Sequence, residues 1–93
     1  MIKVIIERMI ADGMESTYDE AIKNTLSAMI AAHGYVSGAT YIDAKDSNHR
    51  VIITNWQSLE SWTTWSKSDE RERVIGSIRP ILTQPEKFTI LTA

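Results

Sequence analysis

The segment VIITNWQSLESWTTW, residues 51–65, contains all three tryptophans of the chain. It opens with a run of β-branched residues from Val51 to Thr54, which is typical of a strand. Ser58 follows and is a favourable helix N-cap, so the second half is predicted to be a short helix. A tryptophan is large and apolar and carries one N–H donor. Three of them at one strand-to-helix junction predict either a packed core or the wall of a pocket.

The chain has 93 residues and no cysteine. This length fits one domain, which we place at residues 1–93. A domain of this size buries only about 60–65% of its unfolded surface, and without cysteine no disulfide or thiolate metal site can add stability. Dimerisation is therefore the expected source of further burial. The lack of cysteine also fits a reducing cytoplasm, where we predict that the protein resides.

The charge balance is 12 acidic against 10 basic residues, a net charge of −2. Nucleic-acid-binding domains usually carry a concentrated basic face, so this charge argues against a nucleic-acid or adaptor function. The one dense charged cluster, residues 69–73, mixes both signs and is interpreted as a solvated helix face. Residues 1–10 are too short and too charged to form a signal peptide or a membrane span, and no membrane partner is expected.

Hydrophobic periodicity predicts the order β-α-β-β-α-α-β. The predicted strands cover residues 2–10, 35–44, 49–56 and 87–92, and the predicted long helix covers 14–32. Asp12 is expected to cap that helix and Gly34 to close it in the left-handed conformation, while Ser58 and Ser68 begin two short helices. This order is the ferredoxin-like α+β pattern, with a four-stranded antiparallel sheet and the second helix broken in two.

The predicted strands are apolar on both faces. Ile6 alternates with Ile5 in the first strand, and Ile52 alternates with Ile53 in the third. Helices on one side of the sheet can cover only one of these faces, and a large exposed apolar face usually marks an association surface. We expect the open face to pack on the same face of a second copy with two-fold symmetry, giving a dimeric α+β barrel.

Three stretches of the chain resemble the antibiotic biosynthesis monooxygenase domain family. Residues 51–70 resemble the family's strand followed by W-x-S-x-E-x-(W/F)-x-x-W-x-x-S, residues 33–50 resemble its entry into the second strand and hairpin, and residues 78–90 resemble its closing segment. The resemblance implies a dimeric α+β barrel with a pocket between sheet and helices. It also implies activities that range from cofactor-independent oxygenation of phenols to haem degradation.

Haem is the one cofactor that the resemblance makes a candidate. The haem-degrading branch of the family uses an Asn on the first strand, a Trp on the short helix and a His on the next helix. This chain matches only the Trp, at Trp65, because the Asn position falls at Glu7 or Arg8 and the His position falls near Ile75. Haem ligation needs an imidazole or a similar donor, so we predict no haem and no other cofactor.

The candidate catalytic residues are Arg8, Asn55 and Trp65. If the strand face that carries Arg8 looks at the helices, its guanidinium could hold an anionic or phenolate oxygen; the alternative is a salt bridge at the strand end, with Asp43 or Glu7. Asn55 could donate an amide hydrogen bond to a substrate carbonyl or a peroxy intermediate. Trp65 either lines the pocket or fills the core.

Four further side chains are candidates for substrate binding: Tyr18, Trp56, Trp62 and Arg79. Trp62 precedes Trp65 by three residues, which is equally the spacing of an ordinary buried helix face. Core packing is also the alternative for Tyr18. His33 and His49 are interpreted as structural, and nothing near either of them has the spacing of a metal site.

Two functions remain open from the sequence. The first is a monooxygenase that oxygenates a phenolic or enolic small molecule without a cofactor, the protein supplying desolvation, orientation and oxyanion stabilisation. The second is a non-catalytic dimeric protein on the same scaffold, which binds a small ligand or is associated with stress, since a fold does not determine a function.

Overall fold

The computed structural model describes residues 1–93 and contains one four-stranded antiparallel sheet with helices on one face. In chain order the elements are β1 (Ile2–Met9), α1 (Glu15–Ile30), β2 (Tyr35–Asp43), β3 (Asp46–Trp56), α2 (Leu59–Ser66), α3 (Asp69–Ile75), a 3₁₀ turn (Arg79–Ile81) and β4 (Lys87–Thr92). The strands lie in the order β2-β3-β1-β4. The predicted ferredoxin-like α+β fold is confirmed.

The register of the sheet determines which side chains face the helices. Ile6 of β1 lies opposite Ile52 of β3 and Phe88 of β4. Because strand side chains alternate between the faces, the even-numbered residues of β1 and β3 point toward the helices, and Val4 and Trp56 there are fully buried. These residues form the sheet side of the core.

Trp56 links the sheet to the short helix. Its ring packs edge-on against Trp62 of α2, with the two ring centroids 5.6 Å apart. Its indole N–H donates to the Thr54 hydroxyl at 3.0 Å, and that hydroxyl donates to the Val4 carbonyl at 3.0 Å. The indole N–H and the Thr54 hydroxyl are therefore both hydrogen-bonded although they are buried.

The two short helices begin at the predicted caps. Ser58 Oγ accepts a hydrogen bond from the Ser61 backbone N–H, and Ser68 Oγ accepts one from the Arg71 backbone N–H, both at 3.1 Å. The long helix is present as predicted, but its predicted N-cap, Asp12, is wrong. Met14 occupies the N-cap of α1 without a side-chain cap, because Asp12 instead accepts a hydrogen bond from Asn48 Nδ2 and joins the β1–α1 loop to the β2–β3 turn.

The second face of the sheet is not covered by any helix of the chain. Partly buried apolar side chains from β1 and β3 lie on it, together with exposed ones from the edge strands: Ile5, Met9, Val51, Ile53, Tyr41 and Leu91. This open face has the apolar character that the alternating pattern predicted. None of the helices combines the length and the hydropathy needed to cross a bilayer.

Candidate functional site

A pocket of about 690 Å³ opens where the C-terminal end of α1 meets α2 and the start of α3. Its apolar lining consists of Ala28, Ala31, Ala32 and Trp65. Its polar lining consists of His33, Gln57, Glu60, Glu70, Ser58, Ser61, Ser68 and Thr64. This volume lies in the usual range for small-molecule sites. We call it the Trp65 pocket.

Short side chains at the end of α1 create this pocket. Ala28 lies in the last turn of α1, and Ala31 and Ala32 lie in the turn that follows it; these small side chains leave space above the face that they form. Opposite this face, Trp65 is 6% exposed, so the indole is held by the core and shows only a small part of its surface to the pocket. The pocket wall is therefore rigid at Trp65 and polar at its rim.

Arg8 does not line the Trp65 pocket. It is 2% exposed, and its Nε and Nη2 both lie 2.9 Å from Glu86 Oε2. Its Nη1 donates to the Tyr18 hydroxyl at 3.1 Å. The salt-bridge alternative therefore describes Arg8, but the partner is Glu86, not Asp43 or Glu7.

A second arginine holds the same carboxylate. Arg71 is 6% exposed, and its Nη2 lies 3.0 Å and 2.9 Å from the two oxygens of Glu86. The resulting Arg8–Glu86–Arg71 cluster ties the end of β1 and helix α3 to the start of β4. Buried charges persist only when paired in this way.

Tyr18 contacts this cluster and does not line the Trp65 pocket. Two guanidinium groups lie near its ring, with the Arg8 carbon 6.0 Å and the Arg50 carbon 5.3 Å from the ring centroid. Arg50 in turn donates to Asp19 Oδ1 at 2.6 Å. Tyr18 is almost fully buried, so its contacts are with the protein core.

Asn55 lies on the opposite face of the sheet from Arg8. Trp56 points to the helices, so its strand neighbour Asn55 must point to the open face, where its Nδ2 donates to Ser37 Oγ at 3.0 Å. The structure therefore separates the three candidate catalytic residues: Arg8 is in a buried ion-pair cluster, Asn55 is on the open face and Trp65 lines a pocket.

The remaining substrate-binding candidates are also dispersed. Trp56 and Trp62 are core residues, and Trp62 packs on Phe88 with ring centroids 5.5 Å apart. Arg79 is exposed and holds the Glu72 carboxylate with both terminal nitrogens. This hydrogen bonding raises the pKa of Arg79 and lowers that of Glu72.

Residues 1–76 match the protein family described as "Antibiotic biosynthesis monooxygenase". The chain belongs to this family. The match includes residues 33–50 and 51–70, on which the resemblance was based, and ends before the closing segment, residues 78–90. No curated protein matches the chain at a significant level.

Several solved structures share the fold of this family member. A crystal structure described as an antibiotic biosynthesis monooxygenase superposes with a TM-score of 0.88 at 17% identity, covering 100% of this chain and 98% of that one. SnoaB from Streptomyces nogalater, described as a cofactor-independent oxygenase, gives 0.84 at 14%, covering 99% and 92%. A conserved protein from Methanosarcina mazei gives 0.86 at 12%, covering 96% and 88%. At these identities the likeness shows the fold.

Two residues of the buried cluster, Arg71 and Glu86, had no predicted role in this family member. The interpretation of residues 69–73 as a solvated face is wrong for Arg71. A signal was present, because Arg71 shares three- and four-residue helical spacing with the apolar Val74 and Ile75. Glu86 follows a loop and offers no such pattern.

His49 occupies the open face and joins three strands. Its Nδ1 lies 2.9 Å from Asp43 Oδ2 and its Nε2 lies 3.0 Å from Glu7 Oε1. The hydrogen bond to Asp43 raises the pKa of His49 most, and the one to Glu7 raises it further. The His49–Asp43 hydrogen bond also lowers the pKa of Asp43. These contacts fit the structural role expected for His49. His33 instead lines the Trp65 pocket, a position that the sequence did not indicate.

Proposed function

We propose that this protein is a cofactor-independent monooxygenase that binds a phenolic or enolic small molecule in the Trp65 pocket. The observation that carries the proposal is the pocket itself, where an aromatic wall and an imidazole meet in a space of about 690 Å³. Membership of the monooxygenase family supports it. The description of SnoaB, which has the same fold, as a cofactor-independent oxygenase supports it further.

In this proposal His33 is the general base, and the exposed part of the Trp65 indole contacts the substrate ring. A histidine is the commonest general base in proteins, and a planar substrate gains from contact with an indole face. The hydroxyl groups of Ser61 and Thr64 orient the substrate oxygen. Together these groups supply deprotonation and orientation.

The proposed reaction uses O₂ as the only oxidant. His33 removes one proton from the acidic carbon, and the carbanion gives one electron to O₂. The carbon radical and superoxide combine to a peroxide, which takes a proton back. Loss of water then leaves a carbonyl, so one oxygen atom enters the product and the other leaves as water.

The other predicted site residues take supporting roles in this proposal. Arg8 is a positioning residue, since it fixes α3 and β4 through Glu86, while Trp56 and Trp62 hold α2 against the sheet. Asn55 and Arg79 make no contact with the Trp65 pocket. We therefore propose His33, and not Arg8 or Asn55, as the catalytic residue beside Trp65.

We further propose that the protein is a homodimer whose open faces pack together. Ile5, Val51 and Ile53 leave apolar surface there that no helix of the chain covers. A standard interface buries about 800 Å² on each partner, and at about 25 cal/mol per Å² such burial would stabilise a small domain appreciably. We keep the cytoplasm as the proposed location, on the basis of the cysteine-free composition.

One observation favours the second candidate function, a non-catalytic small-ligand binder. His33 is exposed and its side chain forms no hydrogen bond that would orient it, whereas a catalytic base is usually oriented by a third group. A binder would use the same Trp65 pocket without turnover.

An oxygen electrode separates the two functions. Wild-type protein is mixed with a panel of anthrones and hydroquinones in air-saturated buffer, and tryptophan fluorescence is followed in parallel. The oxygenase predicts oxygen uptake above the buffer rate for at least one compound. A saturable fluorescence change without uptake across the panel supports the binder and contradicts the oxygenase.

A further inference from the structure

A second cleft lies on the other side of α3, between that helix and the loop that leads into β4. It has a volume of about 520 Å³. Arg71, Arg79, Thr83, Glu86, Leu82 and Phe88 are among the residues that line it. None of them lines the Trp65 pocket, so the cleft is a separate site.

The wall of this cleft carries an excess of buried positive charge. Glu86 is the only carboxylate that pairs with Arg8 and with Arg71, and the side chains of all three are at most 9% exposed. Two guanidinium groups against one carboxylate leave one positive charge uncompensated. A buried charge of this kind is stabilised by a partner of opposite sign.

Arg71 also has hydrogen-bond donors that no group of the chain accepts from. Its Nη2 serves both oxygens of Glu86, whereas its Nε and Nη1 form no hydrogen bond with the chain. An arginine has five N–H donors, and with Nη2 engaged by Glu86 the Nη1 group is free to donate to an anion. Arg71 is buried, and the small exposed part of its side chain lines the cleft.

The rest of the cleft sets the size and polarity of the partner. Phe88 lies under the Arg71 guanidinium, with the carbon of that group 5.4 Å from the ring centroid. The Phe88 ring is partly exposed and Leu82 lies nearby in the lining. Arg79 adds a second guanidinium at the exposed rim, where Glu72 holds it.

We propose that this cleft binds the carboxylate of a small aromatic acid. The carboxylate accepts a hydrogen bond from an unused nitrogen of Arg71, while Arg79 at the rim offsets the negative charge of Glu72. The aromatic body packs on Phe88 and Leu82. A single negative charge fits best, because the cluster has one uncompensated positive charge and Glu86 would repel a second anionic group.

Fluorescence titration with 1-naphthoate tests the site. Trp62 contacts Phe88, so occupation of the cleft is expected to change tryptophan emission saturably. The neutral isostere 1-naphthalenemethanol is expected to bind at least about 10-fold more weakly, since it lacks the charge-assisted hydrogen bonds. Absence of saturable binding of 1-naphthoate at millimolar concentration, or equal binding of the neutral compound, overturns the proposal.

Three arginine variants locate the binding. Arg71→Gln is expected to weaken 1-naphthoate at least about 10-fold, and Arg79→Gln about 3-fold, because Arg79 is more exposed. Arg73→Gln is the matched control on the same helix, since Arg73 pairs with Glu70 away from the cleft. If Arg71→Gln does not fold, the affinity of Arg79→Gln for 1-naphthoate, compared with that of Arg73→Gln, tests the assignment. Binding by both cleft variants equal to that of Arg73→Gln overturns the assignment, whatever the outcome of the oxygen-uptake test.

Discussion

Gly34 and Ser61 lie in direct contact, so that a Cβ added to Gly34 would come within 2.2 Å of Ser61 Oγ and 2.4 Å of Ser61 Cβ. Gly34 also has a φ of +86°, the left-handed conformation predicted for it, but it does not cap α1 as predicted, because the C-cap is Ala31. Its carbonyl accepts a hydrogen bond from the Gln57 N–H at 2.8 Å. This close approach brings His33 and Ser61 to one wall of the Trp65 pocket.

Gly34→Ala is expected to lower the free energy of unfolding by about 2–4 kcal/mol, since it adds a steric clash to the backbone strain. Gly13→Ala is the control, because Gly13 has a φ of +80° but no atom within 4 Å of an added Cβ. It is expected to cost about 1 kcal/mol. Urea denaturation measures the free energy of unfolding of both variants. An equal decrease in the two would show that the contact with Ser61 does not add to the cost of Gly34→Ala.

Glu86→Gln is expected to destabilise the fold by about 3 kcal/mol or more, since it leaves Arg8 and Arg71 buried without their shared counter-charge. Glu70→Gln provides the comparison, because Glu70 pairs with Arg73 at the surface and exposed pairs contribute less than about 1 kcal/mol. Equilibrium unfolding in urea reads out both changes. A loss at Glu86 no larger than that at Glu70 would mean that the cluster does not hold β4.

The free energy of unfolding is expected to decrease as pH rises through the raised pKa of His49, that is, above about pH 6.5. The folded state binds the His49 proton more tightly than the unfolded state, so this stabilisation is full below the unfolded pKa and is lost at higher pH. Asp43 has the opposite sign, and its contribution is lost as pH falls through its lowered pKa.

His49→Gln is expected to flatten the dependence between about pH 6 and 8, whereas His33→Gln leaves the His49 contacts in place and is expected to preserve it. Urea denaturation at a series of pH values gives the slopes. An unchanged slope in His49→Gln would rule out His49 as its source.

Ile53→Glu is expected to convert the proposed dimer into a monomer, because it places a charge in the centre of the open face. Ile30→Glu is the control, since Ile30 is exposed on α1 at the other side of the molecule. Size-exclusion chromatography with light scattering measures the mass. A wild-type monomer at micromolar concentration, or a dimer of unchanged affinity in Ile53→Glu, would contradict the proposed interface.

The element order could be predicted from the sequence because each segment carries a local signal. Serine caps precede both short helices, and β4 is predicted with its observed bounds, Lys87–Thr92. The predicted N-cap of α1 at Asp12 was wrong because the carboxylate of Asp12 binds a distant residue, Asn48. Local capping preference cannot anticipate such a contact.

The site was harder to predict because it depends on contacts between distant residues. Arg8 and Glu86 are 78 positions apart, and no local pattern links them. The sequence does indicate which face of the sheet Asn55 lies on, because a strand neighbour of a buried Trp56 must point to the opposite face. The part of Trp65 that reaches the pocket depends on how α1, α2 and α3 meet, which periodicity does not specify.

The most direct test is the conversion of anthrone to anthraquinone under ¹⁸O₂, followed by mass spectrometry. Wild-type protein is predicted to form the quinone faster than buffer, with one labelled oxygen atom in each product molecule. His33→Asn and Trp65→Phe are predicted to lower that rate by at least about 10-fold, while Lys23→Gln, an exposed change on α1, leaves it unchanged. A wild-type rate equal to that of buffer, or a His33→Asn rate equal to that of wild type, would contradict oxygenation in the Trp65 pocket.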